Sequence, residues 1–91
     1  MLKFEWDATK AASNLKKHGV SFDEALSVFG DALALTFPDV DHSESEARSR
    51  TYGLSNQRRL LVVVHTERRN QLRLISARKA TRYEKSLYEH G

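Results

Sequence analysis

Cysteine is absent from the 91-residue sequence. No disulfide framework can staple this fold, and no thiolate zinc site can form. Proline occurs once and glycine four times, too few for a flexible linker, and there is no low-complexity tract or internal repeat. No apolar run approaches the roughly 20 residues that a membrane-spanning helix needs. The opening residues MLKFEWDATK carry charge too early and too often for a secretory signal. These absences predict one small domain over residues 1–91, soluble and cytoplasmic, with no membrane partner.

Charge is present but unevenly spread. Residues 1–45 hold 4 Lys and 8 Asp/Glu, a net −4, whereas residues 46–91 hold 11 Lys/Arg and 4 Asp/Glu, a net +7. Nine of those eleven cations are Arg, the side chain whose planar fork matches a phosphate. An Arg-rich half suggests a polyanionic partner such as nucleic acid. The competing reading is a solvated surface with salt bridges to the acidic half.

Hydrophobic periodicity predicts the elements. LKFEW alternates as a strand, with Leu2, Phe4 and Trp6 on one face. Asp7 reads as an N-cap. Ala8, Ala11, Ala12 and Leu15 follow at helical spacing, and Gly19 closes that helix behind Lys16, Lys17 and His18. SFDE (21–24) reads as a capping box opening a second helix with an apolar stripe of Phe22, Ala25, Leu26 and Phe29. Strands follow at 32–39, 48–55, 60–66 and 71–77, with an acidic loop at 39–47 and turns at NQRR (56–59) and ERRN (67–70). LLVVVHT (60–66) is the run expected at the centre of a sheet covered on both faces. TRYE (81–84) is another capping box, opening a last helix with Tyr83, Leu87 and Tyr88. The expected fold is α+β, in the order β-α-α-β-β-β-β-α, with a single antiparallel sheet packed with helices.

The chemistry-capable residues concentrate in the basic half. Arg48, Arg50 and Tyr52 share a strand face. Arg68 sits in the turn after the central strand, and Arg78 and Lys79 end the next one. In a meander, the start of 48–54, the end of 60–66 and the start of 71–77 fall toward one edge, and the end of 71–77 toward the other. Sequence alone does not bring Arg68 beside Arg78. A guanidinium cluster in a concavity would hold an RNA phosphate and stabilise a pentacoordinate transition state. Cleavage by the neighbouring 2′-OH then needs only a proton acceptor and a proton donor, for which His65, Glu46 and Lys79 are candidates.

Each candidate has a structural alternative. His65 ends an apolar strand and reads equally as a satisfied buried histidine. His18 reads as a helix C-terminal cation, His42 and His90 as solvated, and the four together lack metal-ligand spacing. Glu46 reads as a surface carboxylate or an Arg partner. Trp6 and the Tyr83–Leu87 pair read as core. Arg78 and Lys79, in RLISARKATRYE (73–84), are either a solvated strand end or an anion site.

Taken in order, KHGVSF (17–22), ESEAR (44–48), TER (66–68) and ISARKAT (75–81) resemble the BrnT toxins of bacterial type II toxin–antitoxin systems, over essentially the whole chain. The resemblance implies a RelE-like fold and a metal-independent endoribonuclease that arrests growth and needs no cofactor. It also implies a BrnA-type ribbon-helix-helix antitoxin in a 2:2 heterotetramer, through which operator DNA is bound and the promoter autoregulated. By the same resemblance the site positions are Arg48, Arg68, Arg78 and Lys79, with Glu46 and His65 beside them. Two further readings stay open: a non-catalytic nucleic-acid-binding module, and an inactive co-repressor.

Overall fold

The computed structural model describes residues 3–39 and 46–91. Leu2, and His42 and Glu44 in the acidic loop, lie outside the described residues. The elements are β1 (Lys3–Glu5), α1 (Ala8–His18), α2 (Phe22–Ser27) running into a 3-10 turn (Val28–Gly30), β2 (Leu35–Pro38), β3 (Arg48–Leu54), β4 (Leu60–Arg68), β5 (Gln71–Lys79) and α3 (Arg82–His90). The α+β class and the element order are those the sequence predicts.

The sheet order is β1-β5-β4-β3-β2. Strands β2 to β5 form the expected antiparallel meander. β1 instead runs parallel to β5, with Phe4 opposite Leu72, so the sheet is mixed rather than antiparallel throughout. The reason lies in the connections. Tight turns force β3, β4 and β5 to reverse, whereas two helices intervene between β1 and the rest and leave its direction free.

Strand alternation sorts the sheet into two faces. Leu61, Val63, Leu74 and Ala77 point to one side, where Val20, Phe22, Ala25 and Val28 from the α1–α2 layer complete the core. Phe4, Trp6 and Phe29 pack around its margin. Tyr52, Val62, Val64, Ser76 and Arg78 follow the opposite alternation. Leu61, Val62 and Val63 are no more than 1% exposed, as expected of a strand covered on both sides. Gly53 makes the close packing of β3 possible: a Cβ there would lie 2.6 Å from Val28 Cγ1.

α1 has its predicted bounds and its Asp7 cap, which accepts from the Thr9 and Lys10 N–H groups at 2.8 and 3.1 Å. Its buried edge is not the predicted one. Leu15 is 52% exposed, while Asn14 is buried. The cause is where α1 lies. β1 pairs only with the first residues of β5, so the rest of that strand would be an open edge. Asn14 closes it: its Oδ1 accepts from Ala77 N–H at 3.0 Å, and its Nδ2 donates to Ala77 O at 2.8 Å and to Val20 O at 2.9 Å. A polar residue faces inward because the surface it meets is backbone, not hydrocarbon.

Two carboxylates tie the layers together. Ser21 caps α2 through Glu24 N–H at 3.0 Å, but the other half of the predicted capping box is not made. Glu24 instead accepts from Ser55 Oγ at 2.7 Å and from Arg59 Nε at 2.9 Å. Arg59 also donates to Gly19 O at 3.0 Å, which pins the α1–α2 turn to the β3–β4 turn. At α3 the box is complete: Glu84 N–H donates to Thr81 Oγ1 at 3.2 Å and Glu84 Oε1 accepts from Thr81 N–H at 2.9 Å. Tyr83, expected in the core, is 72% exposed on that helix. Tyr88 anchors α3 by donating to Asp31 at 2.6 Å.

Candidate functional site

The register decides which basic residues meet. Arg48 lies opposite Thr66, which lies opposite Arg73. Arg78 lies opposite Val62 instead, four residues further along β4, or about 13 Å at the usual strand rise. The cations of the basic half therefore separate toward two ends of one sheet.

At the first end, α1 runs past β5 and leaves a groove of about 310 Å³. Lys10, Ser13, Lys17 and His18 line it from the helix, and Arg48 and Ser76 from the sheet, with Asn14 as its floor. No carboxylate is among its lining residues. Lys10, Asn14, Lys17 and His18 form one stripe at i, i+4, i+7 and i+8. The hydrogen bonds of Asn14 to β5 hold that stripe in place. A β-bulge, where the pairing shifts between Val64 and His65, lets β5 accommodate Ile75 at the same groove.

Beside the groove is a second concavity of about 390 Å³, formed by Arg68, Arg69, Gln71 and Arg73 of the β4–β5 hairpin with Glu5 of β1. Arg73 of this concavity and Arg48 of the groove flank Thr66 on neighbouring strands. Arg73 acts on Asp7 at the head of α1 together with Lys10, and on Glu46 together with Arg48. Glu46 accepts from Arg68 Nη2 at 2.8 Å. That hydrogen bond holds the Glu46 carboxyl below its usual range. Glu46, Arg48 and Arg68 thus come together at one end of the sheet.

Arg78 stands at the other end. Its Nη1 and Nη2 donate to the two Glu84 oxygens at 2.7 and 2.8 Å. The guanidinium drives the Glu84 carboxyl down to about 2. Lys79 follows the opposite alternation and faces Glu24 electrostatically. His65 lies on the helix-covered side, 6% exposed. It shares a 2.7 Å hydrogen bond with Thr51 Oγ1, which is itself 2.7 Å from Thr36 Oγ1, and it packs edge-on against Phe29. Burial lowers the His65 pKa. These are the surroundings of a satisfied structural histidine.

Lys10, Lys17 and His18 join Arg48 in the groove, although the sequence reading gave Lys17 and His18 only helix-terminal roles and Lys10 none. Their common helical stripe is visible in the sequence. What gives it meaning is the position of α1 beside Arg48, which only the fold supplies.

Comparison with known proteins places the chain in a family. Residues 6–84 match the family model described as the ribonuclease toxin, BrnT, of type II toxin–antitoxin systems. The structure is similar to the crystal structure of the Brucella abortus ribonuclease toxin, BrnT, with a TM-score of 0.65 and 26% sequence identity over 90% of this chain and 100% of that one. No curated protein sequence matches the chain. With the family model spanning nearly the whole sequence, the chain belongs to the BrnT family of ribonuclease toxins of type II toxin–antitoxin systems.

Proposed function

We propose that the chain is a metal-independent endoribonuclease whose scissile phosphate lies in the groove between α1 and β5. The observation that carries this reading is the groove's donor set. Lys10, Lys17 and Arg48 converge with His18 and Ser76 where no carboxylate lines the wall. Ammonium and guanidinium groups repel a divalent cation and attract a phosphodiester.

In the reaction, the ribose 2′-OH attacks its own 3′-phosphorus. A P–O2′ bond forms and the P–O5′ bond breaks, giving a 2′,3′-cyclic phosphate and a 5′-hydroxyl. Lys17 and Arg48 stabilise the charge that develops on the non-bridging oxygens, where one preorganised donor is worth about 3 kcal/mol of barrier. His18 is the imidazole at the groove and exchanges the proton with O2′ or O5′. Glu46, held by Arg68 at the rim, is the second candidate for that exchange. The Arg78–Glu84 pair, Lys79 and His65 are not among the residues that line this groove and play no part in the reading.

The family supports a protein antitoxin as partner. The finer partnership proposed here follows the resemblance: a BrnA-type ribbon-helix-helix protein, a 2:2 assembly that binds operator DNA through the antitoxin and represses its own promoter, and action in the cytoplasm. An antitoxin that covers the groove would neutralise the toxin directly.

The test is incubation of antitoxin-free protein with total RNA in EDTA, beside Lys17→Ala and Arg48→Ala. Degradation to cyclic-phosphate ends by the parent, reduced about 100-fold in each variant, is expected. Undiminished cleavage by both variants would remove the groove from the mechanism. Binding of RNA without new ends would make the protein a binding module or a co-repressor.

A further inference from the structure

The β4–β5 hairpin carries an unusual turn. Arg69 and Asn70 have φ of 52° and 66°, the pair of positive values that a two-residue type I′ turn demands. Asn suits that region, because its short polar side chain bonds locally. An arginine there costs about 1 kcal/mol relative to Asn or Gly. Arg69 is one wall of the concavity that Arg68, Gln71 and Arg73 complete. Of those cations, Arg68 is held by Glu46 and Arg73 lies 3.4 Å from Glu5. The Arg69 guanidinium has no ion-pair or hydrogen-bonding partner among the described residues.

We infer that this hairpin concavity is a second phosphate subsite, which holds the RNA backbone outside the cleaved bond. The inference rests on the ribonuclease reading and extends its substrate to a single strand long enough to reach from the groove to the hairpin. Three features support it. Arg73 of the concavity and Arg48 of the groove flank Thr66 on neighbouring strands. The concavity's donors are arginines, whose forks match phosphate oxygens. Its positive-φ cation, Arg69, is the one without an ion-pair or hydrogen-bonding partner among the described residues. An acidic protein segment would suit the charge as well, but the register that sets Arg73 beside the cleavage groove's Arg48 favours a ligand that runs along both.

The deciding variant is Arg69→Asn, which relieves the turn while removing the guanidinium. Its melting temperature should equal or exceed the parent's, so lost binding cannot be blamed on misfolding. With a 12-nucleotide RNA carrying 2′-O-methyl groups, which cannot be cleaved, affinity should fall about fivefold. The slope of log K against log salt should shrink by about 0.7, one single-strand phosphate contact. With cleavable RNA of the same length the loss should fall in KM rather than kcat. Shortening the RNA to a trinucleotide should abolish the difference between parent and variant. An unchanged affinity and salt slope would overturn the subsite while leaving the groove standing. If those are unchanged but a polyglutamate peptide loses binding to the variant, the concavity belongs to an acidic protein partner. If the parent itself binds no RNA, the ribonuclease reading fails first.

Discussion

The two ends of this one sheet put the same residue type in different surroundings. At the α3 end, Arg78 is clamped by both oxygens of Glu84, and at the same end of the sheet Arg59 is held by Glu24. These arginines join layers. At the hairpin end, no carboxylate lines the groove of Lys10, Lys17 and Arg48, and Glu5 is the one acid among the lining residues of the concavity of Arg68, Arg69 and Arg73. The contrast lies between a guanidinium clamped by two carboxylate oxygens and cations gathered where few acids line the surface. A guanidinium whose hydrogen bonds are satisfied within the fold has little left for a phosphate.

The sharpest way to break this comparison is at the buried clamp. Arg59→Ala strands the Glu24 carboxylate, which is 3% exposed. A loss of about 3 kcal/mol is expected, or a melting temperature lower by about 10–20 °C in a domain of this size. A melt within a degree or two of the parent would show that the clamp holds nothing.

The two ends should next separate in paired assays. Arg78→Ala should cost about 2 kcal/mol of stability, because two charged hydrogen bonds to Glu84 are lost. Lys17→Ala should stay within about 0.5 kcal/mol of the parent yet lose RNA cleavage. If Arg78→Ala keeps its melting temperature and loses cleavage, the structural end is also catalytic and the contrast collapses.

Acid should act on the clamped end first. The Arg78 guanidinium lowers the Glu84 carboxyl from 4.5 to about 2. A depressed carboxylate contributes stability that is fully present above its unfolded value and is lost as pH falls through its folded one. The Glu24 carboxyl is lowered in the same sense by Arg59. Stability should therefore decline between about pH 4.5 and pH 2, and Glu84→Gln should flatten that decline in acid-titrated melts. A variant as steep as the parent would remove Glu84 as its source.

The smallest effect concerns the helix-covered face. Thr51→Val breaks the Thr36–Thr51–His65 row and should cost about 1 kcal/mol. RNA cleavage, measured well below the melting temperature, should be unaltered. A matching loss of activity would bring His65 back into the chemistry.

Much of the architecture was legible before any coordinates. The Asp7, Ser21 and Thr81 caps marked three helix starts, because capping is a local hydrogen bond between neighbours in sequence. Short turns dictated the meander, and the apolar run at 60–66 identified the central strand. Harder to read were choices made by distant partners. Nothing local says that Glu24 leaves its own helix for Arg59, that Asn14 rather than Leu15 faces inward, or that Tyr83 stays exposed.

The sequence by itself determined the elements, their order and the concentration of Arg in the second half, because these depend on spacing of a few residues and on composition. Tertiary structure alone decided where those cations meet. It set β1 parallel to β5, laid α1 along the remaining edge, and so carried Lys10, Lys17 and His18 to Arg48 while sealing Arg78 against Glu84. Propensity acts between near neighbours, whereas an electrostatic site needs charges brought within a few ångströms across the chain, and only register and packing do that.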